Sequence, residues 1–345
     1  MRGFLKPAAG VTCLFALATT GCSSAASDPP KQAATAGSTP SQEATQGATE
    51  EASSTSYAPY VSATTASDND AAGSPTTYNL AFVIASGSTC TPEWNGTEAI
   101  GDSAVTSRIS ELKGEGASVR VSFGGASGKE LASTCGSAAA LAAAYGKALD
   151  AAGSSQADFD IEGDELSDSD GVALRSEAIA LLQKERSGLQ VTFTLPVMPS
   201  GLDSDGVALL ESANKYDVQV STVNLMTMNY GESYDADMGD YAVTSAKAAH
   251  TQLEKVFGLS DADAWRGMAL TSMIGVNDVA GETLSLSDAA DVRAFAEEKE
   301  IAWVSMWSTF RDQQCEDGSA GADDAATDCS GVTQDAGAFG EAFAG

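Results

Sequence analysis

Eight short stretches of the chain read as candidate strands, and helical runs lie between several of them. Where apolar and polar residues alternate with period two, successive side chains go to opposite faces of a strand. The candidate strands are Pro59–Ala63, Asn79–Ala85, Ser118–Phe123, Asp158–Glu162, Gln190–Leu195, Thr222–Met228, Gly267–Thr271 and Ala302–Met306. Helical runs include Ala138–Ala152, Val172–Glu185, Tyr241–Phe257 and Ser287–Lys299. Strands that alternate with helices form a parallel sheet with crossovers. Eight of them close most naturally into an α/β fold of the (β/α)8 TIM-barrel type, one domain over 57–345. Its functional groups are expected at the C-terminal ends of the strands.

One strand is unusual. In Ala157–Gly163, Asp158, Asp160 and Glu162 occupy every second position, with Phe159 and Ile161 between them. The three acids share one face, where burying like charges is costly. A surface strand would rarely carry such apolar partners on its other face. The pattern therefore fits an apolar face packed on helices and an acidic face lining a polar barrel interior. Gly163 ends the strand and leaves Glu162 at its tip. Other strand ends carry Ser122, Gly124 and Gly125, then Met226, Met228, Asn229 and Tyr230, and finally Trp303 and Trp307. A methionine pair filling the core is an equal reading of Met226 and Met228. Buried tryptophans are common, so Trp307, followed by a polar stretch, is the better candidate to stack on a ligand.

Composition adjusts this picture. The 345 residues carry a formal charge of −30, which argues against nucleic acid and anionic membrane surfaces as partners. A single histidine, His250, excludes a multi-histidine metal site and is expected on the surface of its polar helix. No metal or other cofactor is expected. Residues 1–22 read as an export leader: Arg2 and Lys6 precede the apolar run Val11–Ala18, which is too short to span a bilayer. Thr19–Ser24 resembles a lipoprotein processing site with Cys22 as the lipidated residue, although Thr19 stands where leucine is usual. Plain secretion is the alternative. Residues 23–56, rich in Ser, Thr and Ala, read as a disordered linker. An oxidising location makes disulfides the default for Cys90, Cys135, Cys315 and Cys329. Three pairings are possible. Cys315 and Cys329 bracket a Gly/Asp-rich loop and are expected to pair, leaving Cys90 with Cys135.

Taken together, these motifs resemble glycoside hydrolase family 18 chitinases of the bacterial secreted type. Ser122–Gly125 is similar to the family's Ser-x-Gly-Gly, and Asp158, Asp160 and Glu162 to its Asp-x-x-Asp-x-Asp-x-Glu. Met226–Tyr230 resembles the sixth-strand motif, and Trp307 the tryptophan beneath the scissile sugar. The resemblance implies retaining, substrate-assisted hydrolysis of β-1,4-linked N-acetylglucosamine polymers, the family's exception to the two-carboxylate scheme. Glu162 would be the acid/base, Asp160 would orient the substrate acetamide and Asp158 would share the proton. A neighbouring carboxylate would raise Glu162's pKa. Trp307, Tyr230, Asn229, Met226, Gly124, Gly125 and Ser122 would contact chitin or chitooligosaccharide, in a monomer. Three positions depart from the family pattern: Ser155 replaces the outermost Asp, Met228 a tyrosine and Asn229 an aspartate. The alternatives are a non-catalytic carbohydrate-binding relative and an endo-β-N-acetylglucosaminidase acting on glycans.

Overall fold

A computed structural model describes residues 55–114, 116–316 and 328–345. The expected leader, Cys22 and the linker up to residue 54 lie outside the described residues. The barrel strands are β1 (Ser56–Tyr57 and Tyr60–Ser62), β2 (Thr77–Ala85), β3 (Ser118–Gly124), β4 (Gln156–Asp160), β5 (Gln190–Pro196), β6 (Val220–Met226), β7 (Met268–Met273) and β8 (Trp303–Trp307). Each pairs in parallel with the next. The first half of β1 pairs with β8 and its second half with β2, so the sheet closes on itself. Pro59, which has no N–H to donate, lies at the interruption. The fold is a (β/α)8 TIM barrel.

Nine helices occur among the described residues: α1 (Ser103–Leu112), α2 (Ala138–Ala152), α3 (Gly163–Ser167), α4 (Ser169–Glu185), α5 (Ser204–Lys215), α6 (Met238–Phe257), α7 (Asp261–Arg266), α8 (Leu286–Lys299) and α9 (Ala338–Ala344). Helix α2 has the expected bounds. Helices α4, α6 and α8 begin one to three residues earlier than their expected spans, because Asp168, Asp237 and Ser285 cap them there. Strands β4 and β6 are each shifted by two residues towards the N-terminus of their expected spans.

The outward faces of the strands make the apolar layer under the helices. Phe123, Phe159 and Phe193 stand opposite one another on β3, β4 and β5. Their rings lie 5.3 and 5.8 Å apart, with Tyr145 of α2 set edge-on at 4.8 and 4.9 Å from the first two. Cys90 pairs with Cys135 and Cys315 with Cys329, as expected, with Cα separations of 4.6 and 5.0 Å. The expectation for His250 fails. It is buried, its ring stacks 4.0 Å from Trp265, and Nε2 lies 3.0 Å from the Asp261 carbonyl. Position 250 completes the buried stripe of Ala242, Ala246, Ala249 and Leu253, so helix packing sets its environment.

Because Phe159 fills the centre of the aromatic row, Phe159→Ala should lower stability by about 3–5 kcal/mol in urea denaturation. A loss below about 1 kcal/mol would show that the row does not anchor the barrel.

Candidate active site

The barrel interior is polar, and Asp158 is its hub. Fully buried on β4, Asp158 accepts hydrogen bonds from the hydroxyls of Tyr60 (2.9 Å), Ser122 (2.7 Å) and Thr194 (2.6 Å). Asn224 donates to Thr194 (2.9 Å), and Thr271 donates to Asn224 (2.9 Å). This chain of donors joins β1, β3, β4, β5, β6 and β7. Beneath it, Arg120 lies 4.6 Å from the Trp303 ring and donates to Asn79. Burial raises the pKa of Asp158, while the Thr194 and Ser122 hydroxyls, the Arg120 charge and Tyr60 oppose the rise.

Asp160 lies two residues on, towards the C-terminal rim. The ladder stops there, with Ile161 N–H donating to the Thr194 carbonyl. The backbone stays extended through Glu162, whose φ and ψ are −132° and 163°, before α3 begins at Gly163. Glu162 is thus at the strand's tip in position, although it is not part of the strand. Burial, followed by the charges of Glu162 and Asp158, holds Asp160 well above the ordinary carboxylate range. Burial pushes Glu162 up to about 7; a hydrogen bond with Asp160 draws it down, and the charge of Asp278 raises it. The cause differs from the sequence expectation: desolvation leads, and Asp160 lowers the value because it donates its proton. The two carboxyls titrate as a pair. Asp160 Oδ1 is buried without a partner, an acceptor facing no donor in the protein.

Above the pair lies a cavity of about 140 Å³ lined by residues that include Glu162, Met226, Met228, Asn229, Asp278 and Trp307. Trp307 stacks against Phe82 at 5.6 Å and meets Tyr60 edge-on at 5.8 Å. Glycine is required at two points of the wall. Gly124 (φ 95°) lies so close to the Asp160 carbonyl that a Cβ would collide with it. Gly125 (φ 91°) donates its N–H to that carbonyl at 2.9 Å, and a Cβ there would meet the Phe82 ring.

Asp160, Glu162, Met226, Asn229 and Trp307 therefore converge on one cavity, together with Met228. Four expected ligand contacts are placed otherwise. Ser122 is sealed in the interior as a donor to Asp158. Gly124 and Gly125 shape the wall by fixing Asp160. Tyr230 is buried away from the cavity among Tyr234, Tyr241 and Ser245, because β6 ends at Met226 and Asn229 takes a left-handed turn (φ 55°). Ser155 is exposed at the start of β4, at the opposite end from the cavity. Sequence reasoning missed Tyr60, Phe82, Thr194, Met273 and Asp278. Tyr60 and Thr194 lie in predicted strands and were readable from alternation, whereas Phe82 reaches the cavity through a register shift between Leu80 and Val83. Asp278 lies on a loop without periodicity.

A (β/α)8 barrel whose rim holds a proton-sharing carboxyl pair beside an indole has the architecture of a glycoside hydrolase. No protein-family model matches the chain. It is 33% identical over 275 residues to a probable bifunctional chitinase/lysozyme of Escherichia coli, and 31% identical over 276 residues to endochitinase 11 of Metarhizium anisopliae. Each match takes in 74% of the chain but only 31% and 52% of those proteins, so the chain spans from a third to half of their length. The catalytic domain of a hyperthermophilic chitinase from Pyrococcus furiosus superposes with a TM-score of 0.72 at 27% identity, over 83% of this chain and 93% of that one. Mutants of active domain 2 of the thermostable chitinase from the same organism, complexed with chito-oligosaccharides, give 0.73 at 28%. In sequence and in fold the chain is similar to chitinase catalytic domains, of the glycoside hydrolase family 18 type.

The raised pKa of Glu162 has a stability consequence. The folded state holds that proton up to about 7, whereas the unfolded chain releases it near 4.3. Stability is therefore lost as pH rises through this window and levels off above it. Glu162→Gln should exceed the parent by about 1–3 kcal/mol at pH 8 and by nothing at pH 4. A difference independent of pH in denaturant unfolding would contradict the shift.

Proposed function

We propose that the protein hydrolyses β-1,4-linked N-acetylglucosamine polymers, chitin and chitooligosaccharides, with retention and with the substrate's acetamide as nucleophile. The observation that carries this reading is the pair formed by Glu162, pushed up to about 7, and Asp160, whose buried Oδ1 lacks a donor. Glu162 gives its proton to the glycosidic oxygen as the C1–O bond breaks. The acetamide carbonyl oxygen bonds to C1, and Asp160 accepts the acetamide N–H, which supports the positive charge that develops there. Glu162, now a carboxylate, takes a proton from the water that opens this intermediate. Trp307 offers its face as a platform for the reacting sugar. Asp158 holds Asp160 in register. Retention of both Asp160 and Glu162 speaks for catalysis over simple carbohydrate binding.

The reading extends to location. The leader pattern and two disulfides support export, with the protein either secreted or anchored through a lipid on Cys22.

Purified protein should release a chromophore from an N,N′-diacetylchitobioside, and Glu162→Gln should lower kcat at least about 100-fold. Because the protonated form of Glu162 is the acid, kcat/KM should fall as pH rises through about 7. Turnover that survives in Glu162→Gln, or a rate still climbing above pH 8, would refute the assignment.

A further inference from the structure

The ladder between β6 and β7 ends at Met226 and Thr271, yet the chain goes on lining the cavity from both sides. Met228 and Asn229 come from the turn after β6. Asp278 comes from the hairpin loop between the short antiparallel strands Gly275–Val276 and Thr283–Leu284. Glu282, at the end of that loop, is not among the groups lining the cavity. It is only 1% exposed, and its Oε1 accepts the N–H of Gly231 at 2.8 Å. Burial raises the pKa of this carboxyl, and the backbone N–H groups of Gly231, Asn229 and Tyr230 oppose the rise. Successive N–H groups around a left-handed residue form a nest for an anion, and Asn229, at φ 55°, is that residue. Left-handed backbone is tolerated by asparagine but favoured by few side chains, so an anchor at this turn matters. The turn decides what faces the cavity. Asn229 stays at the wall, donating to Asp278 Oδ2 (3.2 Å) and accepting from Val279 N–H (3.3 Å). Tyr230 is carried off to pack beside Tyr234 and Tyr241. The hairpin that bears Glu282 is fixed from the β8 side. Val276 N–H donates to the Ser330 carbonyl (2.7 Å), and Arg311 Nη2 donates to the Val276 carbonyl (2.8 Å).

Building on the chitinase reading, we propose that Glu282 is a positioning residue for substrate binding: it anchors the turn after β6 so that Met228 and Asn229, and not Tyr230, face the sugar. It acts through Asn229 and touches no substrate itself. The acid pair does not depend on it, because Asp160 and Glu162 follow β4, which the interior hydroxyls and the glycines of β3 hold. Loss of the anchor therefore weakens binding and leaves the chemical step in place.

Steady-state kinetics on chitotetraose separate this role from a merely structural one. Glu282→Ala should raise KM about 3- to 10-fold, the range open to one lost hydrogen bond, with kcat within about twofold of the parent. The fall of kcat/KM through about pH 7 should not move. Glu282→Gln keeps an acceptor for Gly231 N–H, and Oε2, which has no partner, gives up no bond on becoming an amide. That variant should return KM to within about twofold of the parent. In an Asn229→Ala background, Glu282→Ala should add nothing further to KM, since both changes remove one contact. An unchanged KM in folded Glu282→Ala, a loss confined to kcat, additive effects of the two alanines or no rescue by glutamine would each overturn the proposal. If Glu282→Ala does not fold, Glu282→Asp, whose carboxylate is one methylene shorter, carries the same comparison. Failure of both to fold would make the role structural and overturn the proposal. The Kd of chitotetraose from calorimetry should follow KM, so a parent without turnover would strike the assigned activity and leave this comparison readable.

Discussion

A carboxylate sealed inside the barrel is the constraint on which the rest of the site depends. Burying Asp158 is tolerable only because hydroxyls from three other strands donate to it, and removing one donor would leave a buried acceptor unsatisfied. The chain of donors that meets this demand also fixes the strands relative to one another. Asp160, the next inward residue on β4, inherits its position from that frame, and Glu162 follows through two residues of extended backbone. The glycines of β3 complete the arrangement by letting the neighbouring chain close on the Asp160 carbonyl.

Function and stability are opposed at the rim. Desolvation makes Glu162 hold a proton that an exposed glutamate would release, and the same desolvation makes its ionised form costly to the fold. Asp160 tempers the effect by donating to Glu162, so the pair forms one proton reservoir whose two members face different parts of a ligand. Asp278 adds negative charge from outside, on a loop held by Asn229. At the sixth strand, then, an amide takes the place of a carboxylate, and a carboxylate from the loop after β7 enters the same cavity.

The acidic strand was legible because a barrel with a polar interior imprints period two on every strand that lines it. Phe159 and Ile161 could face only the helices, which sent Asp158, Asp160 and Glu162 inward. Ser122 was recognised as part of a motif but placed at the rim, since alternation gives the face of a strand and not the depth along it. Tyr230 was misplaced because β6 ends two residues before the alternation does, and Asn229 then turns the chain towards α6. His250 looked solvent-facing in a run of alanines and lysine. Its burial follows from its place on the buried stripe of α6 and from α7 folding back to lay Trp265 against it. Asp278, in an aperiodic loop, could be found only once β7 and the hairpin after it were in place.

The central claim is that the substrate's own acetamide, held by Asp160, attacks the anomeric carbon while Glu162 supplies the proton. The stereochemistry of the first product tests it most directly. Proton NMR during the opening minutes of chitotetraose hydrolysis should show the newly formed reducing end as the β-anomer, since two displacements at C1 restore the starting configuration. Initial release of the α-anomer would mean that water attacks C1 directly. Asp160 would then have to act as a base, and the proton-sharing account of the site would be wrong.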